Sequence, residues 1–143
     1  MLTLEQNIVL RIQSQVSGFI TVGNASLLAG LRDIGPLLPG CFVVPGGGEP
    51  VSPGNPTDTP LLEQQEWDVI IIVPHQATDS ANGLTEVVAS GFMSAVLKAL
   101  HGWKADPTQR QGFIYQGRER PSYNLGYAEF PMTFLANAVI GMA

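Results

Sequence analysis

The sequence predicts an α+β fold in a single domain: a small mixed or antiparallel sheet with an N-terminal helix and one long helix packed on it. Three stretches carry that prediction. Trp67 to Val73 reads Trp-Asp-Val-Ile-Ile-Ile-Val, a β-branched run that is apolar on both alternating faces after Asp68, the pattern of a central strand covered on both sides. Pro74 is expected to end it. Leu84, Val87, Val88, Gly91, Phe92, Ala95, Val96, Ala99 and Leu100 then recur at helical spacing and predict one apolar stripe on a long helix. Between Tyr123 and Leu135 the residues Ala128, Phe130, Met132, Phe134 and then Ala136 alternate with Tyr127, Glu129, Pro131, Thr133 and Leu135, as in a strand with one covered face. With 143 residues, 45% of them hydrophobic, the chain can bury one ordinary core and is too short to make two domains the expectation.

The remaining elements follow from local signals. Thr3 with Gln6 resembles a capping box, and Leu4, Ile8, Arg11, Ile12, Gln15 and Val16 give a first helix expected to end near Gly18. Phe19 to Val22 reads as a short strand closed by Gly23 and Asn24, and Ser26 to Ile34 as a short helix broken by Gly35-Pro36 and Pro39-Gly40. Cys41 to Val44 and Leu61 to Val73 are strand candidates, and so is Gly112 to Gly117. The Pro/Gly-rich stretch 45–60 cannot pack a core, so it is expected as a flexible loop, either disordered in the isolated chain or ordered by a partner. Gly46, Gly47 and Gly48 are followed by neither a Gly-Lys-Ser/Thr nor a helix, which excludes a phosphate loop. Pro131 cannot donate to a ladder and places the last strand at an edge or a bulge; a sparsely charged edge argues for cover by another chain. The tail from Asn137 is expected as a frayed end or a docking arm.

A net charge of −5 argues against a free-standing nucleic-acid binder, which needs basic excess to displace counterions from phosphate. Charge is polarised along the chain: Lys98, Lys104, Arg110, Arg118 and Arg120 are five of the seven basic residues, and most acids precede position 90. Either the fold scatters these groups again, or it builds an acidic and a basic face that meet between copies. The lone Cys41 forms no internal disulfide, and no apolar run approaches the roughly 20 residues of a bilayer span. A reducing cytoplasm without a membrane anchor is the expected setting.

Catalytic and metal chemistry find little purchase. His75 and Asp79 sit at i, i+4 just past the central strand, but no third ligand is fixed, and His75 reads as an exposed loop residue. His101, before Gly102, suits a helix C-terminus. Ser90 lies mid-helix without a nucleophile turn, and Cys41 inside an apolar strand reads as a small core residue. Glu63, Glu66 and Asp68 lie on the polar start of a strand and need no catalytic explanation. The chain is therefore expected not to be an enzyme and to need no cofactor or metal. A small ligand-binding domain using His75, Asp79 and Asn82 remains the alternative of a different class.

The Trp67–Val73 strand, the helix running into Lys98-Ala-Leu-His-Gly-Trp103, the strand with Phe113-Ile-Tyr-Gln-Gly117 and the closing Leu125-Gly-Tyr-Ala-Glu-Phe130 together resemble the bacteriophage tail terminator, or tail completion, proteins. The resemblance covers most of the chain but not the 45–60 insert. It implies a structural virion protein at the head-proximal end of the tail, assembled in the host cytoplasm: a ring, expected to be hexameric, that caps the tail tube, ends its polymerisation and offers a surface to head–tail connector proteins. Genomic DNA would pass through the lumen without specific binding. Arg110, Arg118 and Arg120 are then interface candidates, facing the tube or pairing with Glu63, Glu66 and Asp68 of a neighbour. Another neck component, a stopper or adaptor, is the alternative within this class.

Overall fold

The computed structural model describes residues 2–30, 33–50, 61–75, 83–107, 109 and 111–141. In chain order its elements are α1 (Leu2–Gln15), β1 (Thr21–Asn24), α2 (Ala25–Ala29), a 3-10 turn (Gly35–Leu37), β2 (Gly40–Pro50), β3 (Leu61–His75), α3 (Leu84–Leu100), β4 (Ile114–Arg118), β5 (Ser122–Asn124) and β6 (Gly126–Gly141). They form the α+β architecture expected: one sheet of order β1-β2-β3-β6-β4, with β5 also on β6. Every pairing is antiparallel except β1 with β2.

The β-branched run does form the central strand, with β2 on one side (Cys41↔Ile71, Val43↔Val69) and β6 on the other (Trp67↔Phe134, Ile71↔Phe130). Alternation sorts its residues. Trp67, Val69, Ile71 and Val73 join Cys41, Val43, Ala128, Phe130, Met132 and Phe134 in one core beneath Ile8, Ile12, Val96 and Leu100 of the long helices. Burial of a Val, Leu, Ile or Phe side chain is worth about 1.5–3 kcal/mol, so this layer dominates stability. The opposite face holds only a small cluster, Leu38, Phe42 and Ile72, with Leu28 and Ile34 packed on it. The expectation of cover on both sides of β3 therefore holds at its carboxyl end alone: Ile72 is buried, Asp68 and Ile70 are half-buried, and Gln64 and Glu66 are exposed.

Several local expectations change. Helix α1 already includes Thr3, so that residue lies in the first turn and not before it. Asn24, expected in a strand-ending turn, caps α2 by accepting from the Leu27 N–H at 3.0 Å. The stretch read as a loop from position 45 is strand as far as Pro50, because β2 continues along β3 after a bulge between Pro45 and Gly48. Gly46 is needed at that bulge, since a Cβ there would stand 2.8 Å from Glu66 Cβ. Residues 51–60 lie outside the described residues. The tail also extends β6 to Gly141, opposite Leu61.

Pro131 is not at an edge; β6 is interior. Its carbonyl accepts from the Glu119 N–H at 3.2 Å, on the side where β4 ends and β5 has not begun, so its missing donor faces a gap in the ladder. Pro74 does not end β3, because it lies beyond the last β2 pair, Gly40↔Ile72, and deprives no partner there. The apolar stripe of α3 is also rotated from the expected one. Its buried residues are Thr85, Ala89, Val96, Ala99 and Leu100, while Leu84, Val87 and Val88 are 51%, 68% and 46% exposed. Thr85 takes a core seat because its hydroxyl meets His75 Nδ1 at 2.7 Å, a polar seat that hydrophobic periodicity overlooks.

Helix α3 is tied to β4 at Gly102 and Gly112. The Gly102 N–H donates to the Phe113 carbonyl at 2.8 Å, and the Phe113 N–H donates to the Trp103 carbonyl at 2.9 Å. A Cβ on Gly112 would lie inside van der Waals contact with the Gly102 carbonyl. We expect Gly112→Ala to cost about 3 kcal/mol of unfolding free energy, read by urea denaturation with an unchanged m-value, because backbone must move to admit the methyl group.

Candidate assembly surfaces

The sheet face that the long helices leave open presents a row of cross-strand pairs: Glu66↔Leu135, Asp68↔Thr133, Ile70↔Pro131 and Ile72↔Glu129. Asp68 accepts from the Thr133 hydroxyl at 2.9 Å. Two of the three expected acidic residues, Glu66 and Asp68, thus share this face. Glu63 does not, because it has the parity of Gln65 and Trp67. On the helix side, Trp67 Nε1 donates to Gln65 Oε1 at 3.1 Å and Gln65 Nε2 donates to Glu63 Oε1 at 3.0 Å. Glu129 joins the open face in its place; the alternation of the last strand already carried that signal.

The arginines are handled differently. Arg110 lies outside the described residues. By simple alternation Arg118 would share a face with Ile114, which pairs Leu135 on the open side, but a bulge between Tyr115 and Gly117 resets the register. Arg118 then pairs Met132, a helix-side core residue, and turns to the α3 side. There Arg118 and Arg120 line a cleft of about 590 Å³ with Glu86, Ser90, Met93 and Tyr123. The structure therefore brings Arg118 and Arg120 together and separates them from Glu66 and Asp68 within one chain. Arg11 donates from Nε to the Ala99 carbonyl at 3.0 Å with its guanidinium 5.2 Å from the Trp103 ring centre, also on the helix side.

His75 is the last residue of β3 and half-buried, with its ring 5.2 Å from that of Tyr123; it is not the exposed loop residue expected. Asp79 and Asn82 lie outside the described residues. His101 caps α3, and its Nδ1 accepts from the Tyr115 N–H at 3.3 Å, so it fastens the helix end to β4. Cys41 is fully buried, which pushes its thiol far above the ordinary range and leaves it unreactive. Among the described residues no group of three or more His, Cys, Asp or Glu is placed to hold a metal, and no helix is long and apolar enough to cross a membrane.

Besides the outer sides of the terminal strands β1 and β4, two long strands run past their neighbours among the described residues: β2 beyond the β1 pair Asn24↔Val43, and β6 beyond the β4 pair Ile114↔Leu135. The first is guarded by Pro45 and Pro50. The second is partly met by Gln109, which accepts from the Ala105 and Asp106 N–H groups at 2.7 and 3.0 Å and donates to the Asn137 carbonyl at 3.2 Å.

In the cleft, the Tyr123 hydroxyl donates to Glu86 Oε1 at 2.7 Å. That bond first, and a backbone N–H second, hold the Glu86 carboxyl below its usual range; the same bond raises the Tyr123 phenol. A depressed carboxylate contributes stability above its unfolded value of about 4.3 and loses it as pH falls through the folded value. We expect Tyr123→Phe to raise the Glu86 pKa in an NMR titration. Its stability deficit at pH 7 should shrink as the pH drops through the Glu86 titration.

No curated protein matches the chain in sequence. In fold it is similar to a chain in a solved structure described as the virion of a native gene transfer agent particle, at a TM-score of 0.62 and 14% identity, over 94% of this chain and 92% of that one. The sequence profile of the phage tail terminator proteins matches residues 2–143. Since that match spans nearly the whole chain, the protein belongs to the phage tail terminator family and is a structural terminator of the virion tail.

Proposed function

We propose that copies of this chain form a sixfold ring on the end of the tail tube, stop its polymerisation and present a surface to the head–tail connector, while DNA passes through the centre without specific binding. The observation that carries this reading is the family match over residues 2–143. The architecture supports it. A ring needs a heterologous contact, in which one surface of each copy meets a different surface of the next. The chain offers distinct candidates: the unpaired edges of β2 and β6, and the Arg118–Arg120 cleft beside α3. The likeness to a chain of a gene transfer agent virion is consistent with a tail setting. The role is one of shape and contact, with no catalysis.

Light scattering over a wide concentration range tests the stoichiometry, because ring assembly follows mass action. We expect a concentration-dependent species of six times the 15.3 kDa chain mass, either free or on added tail tubes. Binding to portal complexes in place of tube ends would assign the chain to another neck component.

A further inference from the structure

The strand pairings define one row across the middle of the sheet: Asn24↔Val43, Val43↔Val69, Val69↔Met132 and Met132↔Arg118. The inner residues Val43, Val69 and Met132 belong to the core beneath the long helices. The two ends of the row stand on opposite flanks of the molecule. At one end Asn24 lines a recess of about 430 Å³ with Glu5, Gln6, Val9 and Leu27, between the start of α1 and the turn from β1 into α2. At the other, Arg118 lines the cleft of about 590 Å³ with Arg120, Pro121, Tyr123 and Met93. These flanks carry opposite charges that the chain itself leaves unpaired. Among the described residues neither Glu5 nor Arg118 nor Arg120 has an ion-pair partner. Glu86 on the cleft wall is held by the Tyr123 hydroxyl, and Glu119 lies between the two arginines in sequence without pairing either. Each flank also shows apolar surface beside its charge: Leu27 is 41% and Tyr123 47% exposed.

Resting on the ring reading above, we infer that neighbouring copies meet flank to flank. The α1–β1 recess of one copy seats on the Arg118–Pro121 corner of the next, and Glu5 faces Arg118 and Arg120 across the contact. The occupant of each flank is therefore a second copy of this chain. A cyclic ring turns each copy onto the next without shifting it along the axis. With β3 and β6 along that axis, the Asn24 end and the Arg118 end of one row come together at one height. Such a contact is heterologous and closes a ring. Arginine and tyrosine beside apolar side chains are also the composition of a well-packed interface centre. The acids of β3 are not placed for this role. Glu66 and Asp68 stand two strands in from either side of the sheet and face away from the helices, and Glu63 is engaged by Gln65. The bulge between Tyr115 and Gly117 is then a positioning device, because it turns Arg118 to the helix side, on which α1 of the neighbour lies.

A charge swap tests the contact, read by light scattering and by capping of tail tubes. Arg118→Glu with Arg120→Glu in one chain, and Glu5→Arg in another, should each raise the concentration for half-assembly about tenfold or more and impair capping, since like charges then face each other. The three substitutions in a single chain should recover most of the loss, a coupling expected of residues in contact. Mixing the two defective variants in equal amounts should restore rings in which they alternate, because every junction then sets opposite charges together. That mixture, with circular dichroism, separates a broken contact from a folding defect. The inference is overturned if the folded variants assemble as the wild type does, or if the defect persists in both the combined chain and the mixture. It is equally overturned if Glu66→Arg rescues the double arginine variant and Glu5→Arg does not. A wild-type chain that neither forms rings nor caps tubes would instead defeat the ring reading itself.

Discussion

The antiparallel ladder between β3 and β6 is the constraint on which the rest depends. At fifteen and sixteen residues these strands run for ~50 Å, whereas the seventeen residues of α3 extend only ~26 Å. A helix layer of that size can cover one face of such a sheet but not both, and α2 with its following turn covers only the Ile72 end of the other. An open face and unpaired strand ends follow from that mismatch of lengths. In a monomeric domain they would be liabilities. On the ring reading proposed above, they are candidates for contact with copies and partners.

Irregularities of the ladder, more than its regular part, determine what those surfaces display. The bulge in β2 lets Gly46 pass over Glu66, and it carries a Pro/Gly-rich stretch forward as strand. The bulge in β4 reverses Arg118 relative to the open face. The gap between β4 and β5 accommodates Pro131 in an interior strand, where a continuous edge would have lost a hydrogen bond. Each device leaves the core face of β6 unbroken, with Ala128, Phe130, Met132, Phe134, Ala136 and Ala138 all buried. Packing on one side of the sheet is thereby separated from chemistry on the other.

The buried polar groups belong to the same logic. Gln65, Thr85 and Gln109 are each about 2–3% exposed, and each is hydrogen-bonded: Gln65 between Trp67 and Glu63, Thr85 to His75, Gln109 to a loop and to the free edge at Asn137. No buried side-chain polar atom lacks a partner among the described residues. Satisfied networks of this kind hold one arrangement against alternatives, because any slip strands a donor in low dielectric. They also tie α3 to the end of β3 and the loop after α3 to β6.

The sequence by itself determined the elements with strong periodicity. The β-branched run from Trp67, the helix from Leu84 to Leu100 and the alternation of the last strand all follow from side-chain chemistry at short range. The placement of Glu129 was legible there as well, since it lies on the polar phase of that alternation. Elsewhere the tertiary structure decided which phase an element buries. Thr85 displaced Leu84, Val87 and Val88 from the core because His75 supplied it a partner from another element. Pro131 became interior because the opposing edge left a gap. Arg118 changed sides because one extra residue in β4 shifted a period of two. In each case the outcome depends on a pairing with another element. A local pattern can specify a strand or a helix, but its orientation is set by the groups it meets when the chain closes on itself.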